Sequence, residues 1–113
     1  KTTIKCHLEL NNISEKFDKD VSTCFFRICQ ESLTNILKHA EATEIAIEIK
    51  KKNKELSLKI SDNGIGIASR ILKNPFSMGL LSMRERASII GANLRVSSIK
   101  NKGTTVQLKV KTN

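Results

Sequence analysis

Five segments of this 113-residue chain alternate apolar and polar side chains, and this period of two limits the possible folds more than any other feature. Such alternation predicts strands with one buried face. The alternating positions lie at 4–10, 45–49, 56–60, 94–98 and 106–110. A short turn rich in lysine separates the second segment from the third, and another separates the fourth from the fifth. Each of these pairs therefore predicts a β-hairpin.

Two other segments are predicted to be helical. The first spans about residues 18–40, and Asp18 or Asp20 is expected to cap its start. The second spans about residues 80–90 and is expected to end at Gly91. In the first helix the apolar side chains predict one buried stripe at about 100° per residue. The members of this stripe are Phe26, Cys29, Leu33, Ile36, Leu37 and Ala40.

The order strand, helix, hairpin, loop, helix, hairpin predicts an α+β fold. We expect a two-layer sandwich in which helices cover one face of a mixed, mostly antiparallel sheet. A length of 113 residues suits a single domain, which we assign to residues 1–113. Residues 64–79 hold three of the five glycines and the only proline, and show no sustained period, so they predict a long loop.

Composition limits the cellular context. Hydrophobic residues make up 39% of the chain, and no apolar run approaches the roughly 20 residues that cross a bilayer. We expect a cytoplasmic domain. Because the chain begins at Lys1 rather than Met, we also expect a piece of a longer protein, whose parent could be membrane-anchored. The three cysteines form no CxxC pair, so reduced, buried thiols are expected in place of disulfides or a zinc site.

The net charge of +9 raises the alternative of a nucleic-acid-binding module. The lysines are spread along the chain, however, and the densest group, at positions 50–54, falls in a hairpin turn. The chain has no Trp, no Tyr and only four Phe, so aromatic platforms for stacking bases are scarce. We therefore expect no nucleic-acid partner.

The first helix carries polar groups at helical spacing. Asn35 offers an amide oxygen that suits Mg²⁺, which proteins hold with few ligands plus water and phosphate oxygens. Glu31 lies one turn earlier, where a carboxylate could orient a water or act as a base. Lys38 and His39 could neutralise phosphate oxygens. The alternative is that this polar face is simply solvated.

Asp62 ends the third alternating segment and is followed by Gly64 and Gly66. A carboxylate at a strand end suits an amino-group donor such as adenine N6, and the glycines allow the backbone to approach a ligand closely. The alternative is an ordinary turn, for which Asp-Asn-Gly is a common sequence.

Two weaker signals complete the set. Gly79 and Leu80 open the second predicted helix, where backbone N–H groups attract phosphate. Thr104 follows Gly103 at the start of the last strand, where its hydroxyl could share a water with Asp62. A threonine in a strand is ordinary, so Thr104 alone indicates little.

Taken in order, these blocks resemble the ATP-binding domain of the gyrase, heat-shock chaperone, histidine kinase and mismatch-repair ATPase superfamily, which has the Bergerat fold. The likeness spans nearly the whole chain. The segment from Glu31 to His39 resembles the N box, and Asp62 to Gly66 resembles the G1 box. The Gly79-Leu80 pair resembles the G2 box, and Gly103-Thr104 resembles the closing motif.

The resemblance implies ATP and Mg²⁺ as ligands. It implies that Asn35 holds the metal, that Asp62 reads the adenine amino group with Thr104 in its water network, and that residues 67–78 form a lid. Gly64 and Gly66 would make room for the base. Glu31 is the expected catalytic residue, and the other expected nucleotide-binding residues are Lys38, His39, Gly79 and Leu80.

Within the superfamily, the segments at 31–40 and 79–87 resemble sensor histidine kinases that drive NarL-type or LuxR-type response regulators. This implies transfer of the γ-phosphoryl group to a histidine on a separate dimerisation domain, in a parent expected to be a homodimer. Neither His7 nor His39 suits the phosphoacceptor role. The alternatives are an anti-sigma-factor serine kinase with the same pocket, a nucleic-acid module, and an inactive scaffold.

Overall fold

A computed structural model describes residues 3–13, 17–74, 76 and 79–112. The strands are β1 (Lys5–Asn11), β2 (Glu44–Lys52), β3 (Glu55–Asp62), β4 (Asn93–Ile99) and β5 (Gly103–Lys111). The helices are α1 (Lys19–Asn35), α2 (Ser69–Lys73) and α3 (Leu80–Ile89), and a π-helical turn (Ile36–Ala40) continues α1. The two hairpins, the two long helices and Gly91 after α3 lie where the sequence predicts them.

The strands form one mixed sheet in the order β1-β2-β3-β5-β4. Only the β1–β2 pair is parallel, and α1 supplies the crossover that a parallel pair requires. Pairing sets apolar residues opposite one another on a single face: Ile60 lies opposite Ile47 on β2 and Val106 on β5. This face carries the core beneath the helices, so the predicted α+β architecture with a mixed sheet is confirmed.

The stripe predicted for α1 is partly wrong. Phe26 and Leu37 are 62% and 68% exposed, and the residues of α1 that are buried are Cys24, Phe25, Ile28 and Ser32, followed by Ile36. Cys24, Ile28, Ser32 and Ile36 form a seam with a spacing of four residues, and the third of these is a serine. The stripe was predicted from apolar residues alone, so it missed Ser32, a polar residue on the packed face. Asp18 is confirmed as the cap, since its side chain accepts the Asp20 N–H at 2.8 Å.

The two long helices pack side by side over the sheet. Leu80, Met83 and Ala87 form the buried face of α3. The Ser32 hydroxyl of α1 donates to the Met83 sulfur at 3.7 Å, and the Cys24 thiol donates to the Arg86 carbonyl at 3.4 Å. The C-terminal end of α1 lies beside the N-terminal end of α3, and both are near the Asp62 end of β3.

The buried face predicted for the first strand is wrong. All residues from Lys5 to Leu10 are exposed, with Leu8 at 65% and Leu10 at 56%. β1 is an edge strand that pairs only with β2, and the long helices pack nearer the sheet centre. Cys6 on β1 is therefore exposed, contrary to the prediction of buried thiols, whereas Cys24 is buried and Cys29 is half-buried.

The predicted loop at 64–79 contains the short helix α2. Residues 75, 77 and 78 of the predicted lid lie outside the described residues. Neither α2 nor any other helix in the described part of the chain is long and apolar enough to cross a membrane.

Candidate nucleotide site

A cavity of about 840 Å³ opens between the helical layer and the sheet, at the end of β3. Its volume lies in the range of small-molecule sites. Six of the ten predicted site residues line it: Asn35, His39, Asp62, Gly66, Leu80 and Thr104. Much of the remaining wall is apolar and includes Ile36, Ile60, Met83, Val96 and Val106. The cavity thus combines an apolar interior with a few polar groups from three separate parts of the chain.

Asp62 is the one carboxylate among the described residues that line the cavity. Its pairing with Ile45 places it on the sheet face that carries the core. Its Oδ1 accepts the Gly64 N–H at 2.8 Å. Burial raises the pKa of Asp62 above its ordinary value, while the backbone N–H groups of Gly64 and Thr104 act in the opposite direction. A half-buried carboxylate in an apolar cavity suits a ligand that donates a hydrogen bond.

The raised pKa of Asp62 predicts a pH-dependent stability for Asp62→Asn. A carboxyl with a raised folded pKa binds its proton more tightly in the folded chain, so burial lowers stability only where Asp62 is ionised. The variant removes this effect and should be more stable than the wild type near about pH 7. The difference should vanish as the pH falls through the folded pKa toward the ordinary value of 3.8.

Urea unfolding of both proteins across this pH range measures the difference. Glu85→Gln, which removes an exposed carboxylate from the middle of α3, controls for the loss of one negative charge. An Asp62→Asn protein that is less stable than the wild type at every pH would show that burial is not the dominant influence on this carboxyl.

Asn63 fastens the turn that follows Asp62. Its Oδ1 accepts the N–H groups of Thr43 and Glu44, both at 2.9 Å, and its Nδ2 donates to the Thr43 hydroxyl at 2.9 Å. The sequence reading gave Asn63 no role. No local signal predicts this role, because the partners of Asn63 lie 19 and 20 residues earlier in the chain.

Two glycines let this turn lie close to its neighbours. A Cβ on Gly64 would overlap the Ala40 carbonyl oxygen at the end of the π-helical turn. Gly66 has a φ of +81°, and a Cβ there would lie 2.7 Å from the Ile99 carbonyl oxygen of β4. The turn is thus held between the helix end and β4, which brings the first two predicted motifs together.

The end of α1 places its polar side chains unequally. Asn35 is the last residue of α1 and His39 lies in the π-helical turn, and both line the cavity. Lys38 is exposed and is not part of the cavity wall. A π-helical turn inserts an extra residue and so changes the direction of the side chains that follow. The predicted phosphate contact of Lys38 stays a prediction.

Glu31 lies beside the start of α3. A Cβ on Gly79 would overlap the Glu31 carboxylate, so the two residues are in direct contact. Gly79 has a φ of +73° and directly precedes α3, whose first residue, Leu80, is 1% exposed and lines the cavity. The predicted phosphate-binding helix start is therefore at the cavity edge, next to the predicted catalytic carboxylate.

Thr104 and Ser98 form a hydroxyl pair on neighbouring strands, with their oxygens 3.1 Å apart. Thr104 was predicted as a site residue and Ser98 was not. The available signal for Ser98 was its inward position in the alternation that begins at Leu94. Ser98 lies on the half-buried face of the edge strand β4, where a polar side chain is favoured when it has hydrogen-bond partners.

The oxygen ligands near the cavity suit a metal ion that takes most of its coordination shell from water and from the bound ligand. No group of three His, Cys, Asp or Glu side chains in the described ranges could hold a metal ion. The Asn35 amide, with the Glu31 carboxylate one turn away, offers few hard oxygen ligands. This is the pattern by which Mg²⁺ binds together with substrate phosphates.

Sequence comparisons identify relatives. Residues 20–113 match the family described as histidine kinase-, DNA gyrase B- and HSP90-like ATPase. The chain is 42% identical over 92 residues to the sensor histidine kinase LiaS of Bacillus subtilis, covering 81% of this chain and 25% of LiaS. It is 38% identical over 98 residues to the sensor protein VraS of Staphylococcus aureus, covering 87% of this chain and 28% of VraS.

Solved structures agree in fold. The histidine kinase AdeS of Acinetobacter baumannii superimposes with a TM-score of 0.79 at 18% identity, covering 99% of this chain and 56% of that chain. The blue-light activated histidine kinase of Erythrobacter litoralis gives a TM-score of 0.78 at 20% identity, covering 98% of this chain and 36% of that chain. The chain spans about a quarter of the length of the relatives LiaS and VraS. It belongs to the histidine kinase-, DNA gyrase B- and HSP90-like ATPase family.

Proposed function

We propose that this domain binds Mg·ATP and donates the γ-phosphoryl group to a histidine on the dimerisation domain of a sensor histidine kinase. The observation that carries the proposal is the half-buried Asp62 carboxylate in an otherwise largely apolar cavity. Family membership and the two sensor-kinase relatives support it.

The adenine end of the site follows from the cavity walls. Ile60, Val96 and Val106 of the sheet, with Met83 of α3, provide apolar surface for a planar base. Asp62 would accept a hydrogen bond from the adenine amino group. A guanine, which carries a carbonyl oxygen at that position, would set an acceptor against the carboxylate, so the site selects adenine.

The phosphate end lies toward the helices. Asn35 would hold Mg²⁺, which neutralises charge on the phosphate oxygens when bound. His39 on the cavity wall and the first N–H groups of α3 would contact the same oxygens. Glu31, in contact with Gly79, would orient a water of the metal shell or accept a proton. Catalysis would consist mainly of positioning and charge neutralisation.

The partners are proposed with the activity. The phosphohistidine would pass its phosphoryl group to an aspartate of a response regulator, which the motif resemblance suggests is of the NarL or LuxR type. The parent would be a homodimer with this domain on the cytoplasmic side of the membrane, where ATP is available.

Asn35→Ala should remove the metal dependence of nucleotide binding. We expect the variant to bind ADP equally with and without Mg²⁺, whereas the wild type binds about tenfold more tightly when Mg²⁺ is present, as expected for a charge-assisted contact. Calorimetric titration with ADP in magnesium or in chelator measures the ratio. Gln30→Ala, exposed on the same helix, is the control. A variant that keeps the wild-type ratio would contradict Asn35 as the metal ligand.

The reaction is tested in a protein that carries this domain together with its phosphoacceptor segment. Incubation with radiolabelled ATP should give an acid-labile, base-stable phosphohistidine. An acid-stable phosphoserine on a protein substrate would indicate the anti-sigma-factor type of kinase instead. Salt-sensitive binding to DNA or RNA, with no change of Tm on addition of Mg·ADP, would indicate the nucleic-acid module.

A further inference from the structure

Ser98 of β4 lies between the loop that follows Gly66 and strand β5. Its Oγ accepts the Ile67 N–H at 2.6 Å, just after Gly66. The same oxygen is 3.2 Å from the Gly103 carbonyl oxygen, to which it can donate, and 3.1 Å from the Thr104 hydroxyl. Ser98 also lines the cavity. One side chain therefore contacts both the loop that leaves the Asp62 motif and the strand that carries Thr104.

A serine hydroxyl has one hydrogen to donate and two lone pairs to accept with. The Ile67 N–H occupies one lone pair. If Ser98 donates to the Gly103 carbonyl, its second lone pair is available to the Thr104 hydroxyl hydrogen. If Ser98 donates to Thr104 instead, the Thr104 hydrogen is released toward the cavity. The direction of the Ser98 hydroxyl hydrogen thus determines whether Thr104 presents a hydrogen or a lone pair to a ligand.

The loop is held tightly at this point. A Cβ on Gly66 would lie 2.7 Å from the Ser98 Oγ, and the Asn101 N–H donates to the Ile65 carbonyl at 2.8 Å. Hydrogen bonds from the end of the β4–β5 hairpin therefore hold the chain on both sides of Gly66, at Ile65 and at Ile67. From Ile67 the chain continues into α2, and residues 67–69 line the cavity.

Asp62 is connected to the same group of residues. The Thr104 backbone N–H stabilises its carboxylate, and the Gly64 N–H binds Oδ1 at 2.8 Å. Hydrogen bonds thus lead from Asp62 through Thr104 and Ser98 to Ile67. A change in the hydrogen bonds of the Asp62 carboxylate can therefore affect the position of Ile67 through this network.

We propose that Ser98 is a positioning residue. It couples residues 67–69 of the cavity wall to Asp62 and Thr104, which we assign to the adenine base. Through this coupling, nucleotide binding at Asp62 and the position of residues 67–69 on the cavity wall depend on each other. The inference rests on the proposed function, because it assigns the ligand of Asp62 to be the adenine base.

The test compares Ser98→Ala with Ser98→Thr, which keeps the hydroxyl, and with Ser97→Ala. Ser97 is exposed, lies on the opposite sheet face of the same strand, and serves as the matched control. Two quantities are measured for each protein: the Kd for ADP by calorimetry, and the exchange rate of the Ile67 amide in the ligand-free chain by NMR.

Ser98→Ala is expected to weaken ADP binding about tenfold and to accelerate exchange of the Ile67 amide about tenfold, which is the effect of losing one or two partly buried hydrogen bonds. Amides within β4 and β5 should keep their wild-type rates. Ser98→Thr should restore both quantities toward the wild type, and Ser97→Ala should change neither.

Wild-type Kd and wild-type Ile67 exchange in Ser98→Ala would overturn the proposal. Uniformly faster exchange across β4 and β5 would also overturn it, because Ser98 would then only stabilise the hairpin. A wild-type chain that binds no ADP would instead overturn the proposed function, and the exchange measurement in the ligand-free chain separates this failure from the others.

Discussion

Asp62→Asn is expected to lower the affinity of the chain for ADP about 100-fold, the largest effect on binding that we anticipate. A hydrogen bond to a charged group contributes about 1.5–3 kcal/mol, and it is lost most completely inside an apolar cavity. The fold should survive, because an Asn oxygen still accepts the Gly64 N–H that Asp62 Oδ1 accepts at 2.8 Å. The raised pKa of Asp62 also predicts that the fold gains stability near neutral pH when this charge is removed.

Calorimetric titration with Mg·ADP measures the loss, with far-ultraviolet circular dichroism as the check on folding. Asp20→Asn removes an exposed carboxylate of α1 and should bind ADP as the wild type does. An Asp62→Asn protein that is folded and binds ADP with wild-type affinity would show that this carboxylate does not contact the base.

Gly64→Ala is expected to have the largest effect on stability. Its Cβ would overlap the Ala40 carbonyl oxygen, which also accepts the Ile65 N–H at 2.8 Å, and backbone atoms can move aside only by breaking that bond. Forcing extra volume into such a site destabilises by about 3 kcal/mol, which lowers Tm by about 10–20 °C for a domain of this size. Nucleotide binding should fall as well, because the turn carries Asp62.

Gly91→Ala separates this clash from the general cost of replacing a glycine. Gly91 has a φ of +69°, and nothing lies within 4 Å of a Cβ there, so only backbone strain of about 1 kcal/mol is expected. Thermal unfolding of the two variants beside the wild type gives the comparison. Equal losses of Tm in both would contradict the close approach of Gly64 to the helix end.

Strands β2 to β5 and the two long helices were predictable because one face of each packs on a single core. Period-two alternation placed both hairpins, and Gly91 marked the end of α3. The seam of α1 was not predictable from apolar residues alone, since Ser32 is packed inside while Phe26 and Leu37 are exposed. The burial of a helical side chain depends on what packs against it, which the periodicity of one helix does not specify.

The first strand shows the same limit. Its alternation is regular, yet Leu8 and Leu10 are exposed because β1 lies at the sheet edge. Alternation reports that one face is apolar, and it does not report how far the helical layer extends. The exposure of Cys6 has the same cause.

The sequence motifs predicted part of the cavity lining. Asn35, His39, Asp62 and Thr104 come from distant positions and line one cavity. The inward position of Ser98 in β4 was readable from the alternation, but its role was not, because a serine in a strand is ordinary until its partners are known. Its role depends on contacts with Ile67 and Thr104, which are created by the tertiary fold.

The most direct test of the account is a thermodynamic cycle between Asp62 and the adenine amino group. Wild type and Asp62→Asn are each titrated with Mg·ADP and with the analogue that lacks the 6-amino group. We predict that the wild type prefers ADP about 30-fold and that the variant shows no preference, a coupling of about 2 kcal/mol, as for a hydrogen bond to a charged group. Equal binding of the two ligands by the wild type would contradict the assignment of this cavity as an adenine site.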